Sequence, residues 1–363
     1  MESTIKKSDF VLTPYMKTND LLATWQILNT VVPYLLLWVL AVKLSVVSLW
    51  LMPPIVVLMT LFSVRGFSLM HDCGHYSLFR SKRANRIVGF CLGVINAIPQ
   101  YGWSRDHAFH HKTNGDWERY RGVADFLSTE EFKQLTPAKQ RMYSLLRQPW
   151  MAIPGGFFYL AIQPRMILVL GIKDFVVHIL DCVKKDPAMG LGNMISSHKS
   201  KHWLSATEFW DLLFNNICVL AGWVILSHFL GAGFFWSMYS AVLTCSAFIF
   251  IIVFCIQHIF EGAYANRTEG WDYILGAVEG SSYLKLPAIL NWFTADIGYH
   301  NIHHLSERIP NYNLAACHQA NIHLLSKVKT LEIKDMLGCF KYLLWDAESD
   351  SLVSIESLQL TNK

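Results

Sequence analysis

LLFNNICVLAGWVILSHFLGAGFFWSMYSAVLTCSAFIFIIVFCIQHIF, residues 212–260, contains no Asp, Glu, Lys or Arg. A bilayer core of about 30 Å is crossed by about 20 apolar residues rising 1.5 Å each, so this run holds two crossings. Gly231-Ala232-Gly233 at its midpoint supplies the turn, and the spacing predicts spans at 212–230 and 234–257. The stretch from Trp25 to Met70, in which only Lys43 and Arg65 are charged, reads the same way. It predicts spans at 25–46 and 49–70 with a turn near Lys43–Ser48. Pro53 and Pro54 then fall in the first turn of the returning helix, where a missing N–H does least harm.

The composition agrees with a membrane protein. The chain is 363 residues long, 53% hydrophobic and 16% charged, with a mean hydropathy of +0.29, whereas a soluble domain carries about 25% charged residues. Disorder and collagen are excluded, and a net charge of +4 is too mild to imply nucleic acid. Eight cysteines occur without a Cys-x-x-Cys pair, which argues against a disulfide scaffold or a thiolate zinc site. Met1–Asp20 is charged and lacks the apolar core of a removable signal peptide.

Two hairpins bring the N-terminal segment, the connecting segment and the C-terminal segment to one side of the membrane. Residues 76–208 hold 18 of the 31 Lys and Arg, against Lys43 alone in the inter-helix turns, so that side is expected to be cytoplasmic. Lys6, Lys7, Lys17, Arg80, Lys82 and Arg83 weigh most, being close to span ends. Ile87–Trp103 and Met151–Gly171, broken by Asn96, Pro99, Pro154, Gln163, Pro164 and Arg165, are expected to lie on the membrane as interfacial helices. The expected division is a cytosolic segment at 1–24, a membrane domain at 25–330 and a cytosolic tail at 331–363.

Histidines recur at ligand spacing. His71-Asp72-Cys73-Gly74-His75 follows the second span, and on a continuing helix positions i and i+4 share a face. His107-Ala108-Phe109-His110-His111 and His300-Asn301-Ile302-His303-His304 each carry histidine at i, i+3 and i+4. The topology puts all eight on one side of the membrane, and His258, at the end of the fourth span, joins them as a ninth. An isolated histidine is usually a hydrogen-bonded, partly buried imidazole, but eight converging ones are not explained that way. His178, His198, His202, His228, His318 and His323 lack the spacing and are read as incidental.

Nine nitrogen donors exceed the four ligands of a zinc ion and suit two metals. Imidazole accepts iron, copper, nickel and zinc alike. A cluster at the membrane interface points to a lipid-borne substrate and redox chemistry, which zinc does not supply. Two irons activating dioxygen account for both the ligand number and the location.

With these motifs in hand, the chain resembles the membrane fatty acid desaturases. Their three histidine boxes match 71–75, 107–111 and 300–304 in order, spacing and placement. The likeness extends through Trp103, Thr113-Asn114-Gly115-Asp116, Gln257-His258-Ile259-Phe260-Glu261, Gly280–Pro287 and Ile309–Tyr312. His-Asp-Cys-Gly-His together with Ser-Ser-Tyr-Leu-Lys-Leu-Pro is most similar to the acyl-lipid delta-12 (omega-6) type and related bacterial enzymes. The resemblance implies an all-α integral membrane fold, four transmembrane helices in two hairpins with a cytosolic histidine-rich helical cap. It also implies a di-iron centre that uses O2 to remove two hydrogens from adjacent methylenes of a membrane lipid acyl chain. The ligands would be His71, His75, His107, His110, His111, His258, His300, His303 and His304. One helical turn before His258 the family has a polar contact, and here Phe254 stands in its place.

Asp72, Asp106, Asp116, Glu261, Asp296 and Asn301 lie close in sequence to these ligands and are candidates to fix imidazole tautomers. Trp103, Tyr283 and Trp292 are candidates for an acyl tunnel, although aromatic residues are expected at a membrane interface in any case. Ile153-Pro154-Gly155-Gly156 lacks the axial histidine of a fused cytochrome b5 domain, and no ferredoxin-like cysteine run occurs. Electrons are therefore expected from a separate ferredoxin, flavodoxin or cytochrome b5. Arg80, Lys82, Arg83, Arg86, Lys184 and Lys185 would dock that donor or bind anionic headgroups. The lack of a transit peptide or retrieval signal favours a bacterial plasma membrane. A lipid or carotenoid hydroxylase or ketolase would use the same ligands. A histidine-ligated zinc hydrolase or membrane sensor would leave five of them unexplained.

Overall fold

Asn19 accepts hydrogen bonds from the N–H groups of Leu21 and Leu22 and so opens α1 (Asp20–Ser45). That cap, with Asp20 favourably placed in the first turn, starts the helix five residues before the apolar run begins. The computed structural model describes residues 5–120 and 126–360, so the extreme ends of the outer segments, 1–4 and 361–363, lie outside the described residues. α2 (Met52–Gly74) returns with its prolines in the first turn and runs past residue 70, carrying His71 on its last turn.

α3 (Lys82–Ile95) and α4 (Gln100–Thr113) correct the reading of 87–103 as a helix lying flat on the membrane. They form a hairpin whose tip is wedged between α2 and the third span. The non-helical tip backbone is satisfied by protein side chains. Ser63 of α2 donates to Asn96 at 2.9 Å, Arg165 donates to the Ala97 carbonyl at 2.6 Å, and Asn215 donates to the Ile98 carbonyl at 3.0 Å. Irregular backbone beside membrane spans is tolerated only where protein groups pair it. Asn96 and Arg165, two of the polar residues that interrupt the apolar pattern, are among the groups that pair the tip.

β1 (Leu127–Ser128), α5 (Thr129–Gln134) and α6 (Pro137–Leu146) lead into α7 (Ala152–Phe157), a π-helical turn (Phe158–Ile162) and α8 (Gln163–Lys185). Val169, Val176 and Leu180 leave an apolar face of α8 uncovered by the chain, as an interfacial helix requires. α9 (Leu191–Ser197) precedes α10 (Ala206–Leu230), which Ser205 caps six residues ahead of the uncharged run. Gly231, at φ +82°, makes the turn alone, so α11 (Ala232–Ile256) begins at once. Among the described residues four helical segments are long and apolar enough to cross a membrane: Asp20–Ser45, Leu49–Gly74, Ala206–Leu230 and Ala232–Ile256.

Beyond the spans the chain builds a cap from α12 (Tyr273–Val278), β2 (Tyr283–Lys285), α13 (Ala288–Phe293), α14 (His300–Leu305), α15 (Asn311–Ala320), β3 (Thr330–Glu332), α16 (Met336–Cys339), β4 (Tyr342–Asp346), β5 (Ser351–Ser354) and α17 (Ile355–Leu360). Among the described residues the protein is mainly helical, with two small sheets. β1 runs parallel to β4, which pairs antiparallel with β5, and β2 pairs parallel with β3. The segment read as a tail is folded onto the body: Leu343, Leu344 and Trp345 are buried, and the Trp345 indole donates to the Ala265 carbonyl at 3.2 Å.

Candidate metal centre

Four elements deliver the nine histidines. α2 ends with His71 and His75, α4 carries His107, His110 and His111, the residue pair after α11 ends in His258, and α14 consists largely of the third box. The structure sorts them into two groups, His71, His75, His107, His111 and His303 in one and His110, His258, His300 and His304 in the other, with the ligand atoms of each group within 4.8 Å of one another. Each pentad is divided. The i, i+4 pair of α4 joins the first group and that of α14 the second, while the remaining histidine of each box crosses over. His111 and His304 stack at 4.1 Å between ring centres where the groups meet.

The nitrogens suit bound metal better than they suit one another. The Nε2 atoms of His110 and His258 are 3.0 Å apart, those of His258 and His300 3.0 Å, those of His300 and His304 3.1 Å, and those of His107 and His111 3.0 Å. His258 Nδ1 donates to the Gly280 carbonyl at 3.1 Å, which leaves its Nε2 as a lone pair facing two other rings. Ligands at right angles around an ion with bonds of about 2.1 Å stand about 3.0 Å apart. Nε2 of His71 and His75, Nδ1 of His110, His111 and His300, and both nitrogens of His303 have no hydrogen-bond partner among the described residues. A set of buried, unpaired, neutral nitrogens fits two metal ions.

Burial keeps seven of the nine rings neutral. His258 is pushed down to about 4 against the opposing bond to Gly280. His107, His110, His111, His300, His303 and His304 are held well below the ordinary value, by burial first and by one another second. Ligands must be deprotonated to bind, so the cluster is ready at neutral pH. The same shifts set an acid limit. Between pH 6.5 and about 4 an unfolded chain takes up protons that the folded one refuses, so stability falls as pH falls, by about 3 kcal/mol at His258 alone. Thermal melting of the metal-free protein is expected to drop through that window, and a flat melting temperature there would contradict it.

Asp72 bonds one of the histidines. Its Oδ1 lies 3.1 Å from His71 Nδ1, while Oδ2 accepts from the Asn311 backbone and side chain at 2.8 Å each, tying α2 to α15. Asn301 is fully buried beside the site but bonds no histidine. The other candidates are corrected. Asp106 is exposed and pairs with Arg105, because one step along α4 turns it about 100° from His107. Asp116 holds Arg119 and Thr268, Glu261 is exposed, and Asp296 lies by Arg65, where burial raises its carboxyl to about 6. Sequence reasoning missed Glu307, which sits 3.2 Å from His75 Nδ1, and the Gly280 carbonyl. Neither follows a spacing rule, since both come from loops that only the fold brings near.

A cavity of about 420 Å³ reaches the centre from beneath α7. His107 of the first group and His110 and His258 of the second stand in its wall, among apolar neighbours such as Leu160, Ala247, Phe250 and Phe254, with Phe340 and Leu343 added by the C-terminal segment. Trp103 lines it, stacked on His107 with 4.8 Å between ring centres. Tyr283 and Trp292 do not: Tyr283 stacks on Tyr299, and Trp292 lies against the Arg65 guanidinium. Phe254 packs about 6 Å from the rings of His71, His107 and His300 and supplies no ligand atom.

Comparison with known proteins agrees with this geometry. A family model described as fatty acid desaturase matches residues 48–333. The chain is 30% identical over 336 residues to a fatty acid desaturase of Bacillus subtilis (strain 168), covering 92% of this chain and 86% of the relative. It is 26% identical to an sn-1 acyl-lipid omega-3 desaturase (ferredoxin) of Nostoc sp. (strain 36), over 76% of this chain and 69% of that one. It is 24% identical to an endoplasmic reticulum acyl-lipid omega-3 desaturase (cytochrome b5) of Arabidopsis thaliana, over 72% and 61%. A family match across most of the chain, four membrane-length helices and a buried histidine centre lead to one conclusion: this chain belongs to the fatty acid desaturase family and is a multi-pass membrane oxidoreductase.

Proposed function

We propose that the protein introduces a cis double bond into the acyl chain of a membrane lipid. The nine histidines would hold two irons, five donors on one side and four on the other, and the motif resemblance favours the delta-12 position. The observation that carries this reading is the mainly apolar cavity whose wall includes histidines of both groups, with Asp106 and Arg147 as its charged lining residues. Bound iron, with dioxygen and electrons from a separate donor, supplies the hydrogen abstraction that no side chain performs.

The chain's own residues would bind, orient and keep dry. Leu160, Ala247 and Phe250 offer a slot for methylenes, and Phe254 closes one side where a polar group would admit water. Asp72, Glu307 and the Gly280 carbonyl hold His71, His75 and His258 through Nδ1, which aims each Nε2 inward. Trp103 fixes the His107 ring plane by stacking. Around the cavity Leu146, Trp150, Ile153 and Phe158 are exposed apolar residues, a collar suited to the bilayer interface. An acyl chain could then enter from the membrane rather than from water. Both termini and the centre are assigned to the cytoplasmic side of a bacterial plasma membrane.

For the donor, a ferredoxin, flavodoxin or cytochrome b5, the favoured surface lies at Tyr76, the residue after His75. Lys82 lies 6.0 Å from the Tyr76 ring centre, and Arg86 donates to the Tyr76 hydroxyl at 3.3 Å. Charge reversal at Lys82 and Arg86 is expected to lower donor-coupled turnover several-fold at low salt, by about 1 kcal/mol per charge, and to leave chemically reduced single turnover and membrane association unchanged. Equal losses in both assays would place the donor elsewhere.

The function is tested by expression in a host with a defined lipid pool, followed by positional and mass analysis of its fatty acids, with His107→Ala as the control. New unsaturation with loss of two hydrogens, absent in the control, is expected. Gain of oxygen would indicate a hydroxylase or ketolase, and equal unsaturation in the control would overturn the assignment.

A further inference from the structure

A second cavity, of about 530 Å³, shares no lining residue with the one that reaches the histidines. It lies between the two membrane hairpins, walled by α1 from Tyr34 to Lys43 and by α10 from Cys218 to Leu230, with Phe235 of α11 and Ile95 at the end of α3 also lining it. Its volume is that of a ligand pocket rather than a packing defect. The lining is apolar except for aromatic hydroxyl and indole groups, and Lys43 is its only charged residue.

Three observations identify the occupant. Tyr34 to Lys43 spans about 14 Å of helix at 1.5 Å per residue, close to half of a hydrocarbon core of about 30 Å, so the groove is one leaflet deep. Lys43 stands at the end of α1 beside the inter-helix turn, the level of lipid headgroups. It is also the only Lys or Arg in or beside the two inter-helix turns. At Gly222 an added Cβ would meet nothing within 4 Å, so the absence of a side chain there keeps the groove open without being needed for helix packing.

We infer that this groove holds an acyl chain of an anionic phospholipid from the leaflet opposite the histidine centre, with the phosphate at Lys43. The lipid would bridge α1 and α10, joining the two hairpins at the membrane face away from the chemistry. Residues His71 and Met52 are separated by about 28 Å along α2, so this lipid is not the substrate. The inference does not depend on the reaction assigned above.

The test reconstitutes the full-length protein in phosphatidylcholine vesicles containing a minor fraction of phosphatidylglycerol with a photoactivatable diazirine in its acyl chain. Cross-linked residues are mapped by peptide mass analysis. Label is expected on α1 and α10 residues of the groove. Gly222→Leu, which fills the space, should remove it. Lys43→Gln should weaken it about fivefold, the worth of one basic residue at an anionic surface, and Lys43→Arg should retain it. Metal content and turnover should be unchanged in all three, which also reports that each is folded. If Gly222→Leu fails that check, the Lys43 pair decides. Groove labelling that is absent, that survives Gly222→Leu in a folded protein, or that is equal with a phosphatidylcholine probe would overturn the inference. Cross-links to a second copy in place of lipid would do so as well.

Discussion

His300→Ala is expected to abolish turnover and to leave the protein with one iron instead of two. The group of His110, His258, His300 and His304 has four donors and none to spare, so removing one leaves three. The first group has five, and His111→Ala leaves four in place. Iron loss is therefore expected to be asymmetric: nearly complete for one ion in His300→Ala or His304→Ala and partial in His111→Ala, although turnover falls in all. The loss should exceed the roughly 10–100-fold that removal of a ligand's outer partner causes. Metal analysis of the purified variants, read beside turnover, checks this. Equal iron content in His300→Ala and His111→Ala would show that the two groups are not separate sites.

Gly155→Trp is expected to stop the reaction without disturbing the metal. Gly155 lines the cavity beneath α7, and an added Cβ there meets nothing within 4 Å, so a large side chain can enter the space meant for methylenes. Turnover should fall roughly a hundredfold, the effect of displacing a substrate by about 1 Å, while iron content and melting temperature stay at their starting values. The next residue behaves oppositely. An added Cβ at Gly156 comes 2.7 Å from that of Ala247, so Gly156→Ala strains the contact of α7 with α11 and costs about 1–3 kcal/mol of stability. A Gly155→Trp protein with normal turnover would mean that the acyl chain takes another path.

The spans and the histidine cluster were legible because both rest on periodic rules. A charge-free run long enough to cross a bilayer needs no tertiary information, and histidines at i, i+3 and i+4 share a helix face whatever packs against it. Helix ends were less legible, since Asn19 and Ser205 extend their helices into polar sequence by capping. The α3–α4 hairpin was misread because its irregular tip looks like an interruption until its partners Ser63, Arg165 and Asn215, up to 117 residues away in the chain, are known. Residues supporting the ligands were least legible. Proximity in sequence selected Asp106, Asp116, Glu261 and Asp296, which bond no histidine among the described residues. The groups that do hold imidazoles include Glu307 and the Gly280 carbonyl, contributed by loops across the fold. The C-terminal segment gave no periodic signal, yet Phe340 and Leu343 complete the cavity wall.

The division of nine histidines into sets of five and four also bears on how the two boxes with three histidines work. Each supplies a pair to one group and a single residue to the other, so α4 and α14 cannot move apart without opening both groups. The stacked pair His111 and His304 lies where they join. This cross-linking explains why the third box can sit on a helix of only six residues, too short to be stable alone.

The histidine centre is proposed to hold two redox-active irons. Its most direct test is elemental analysis of active, purified protein, expressed as metal per chain and measured on the same sample as O2-dependent turnover. Two irons per chain are expected, with turnover lost in step with iron removal and restored by iron. Active protein carrying two zinc ions and no iron would contradict it.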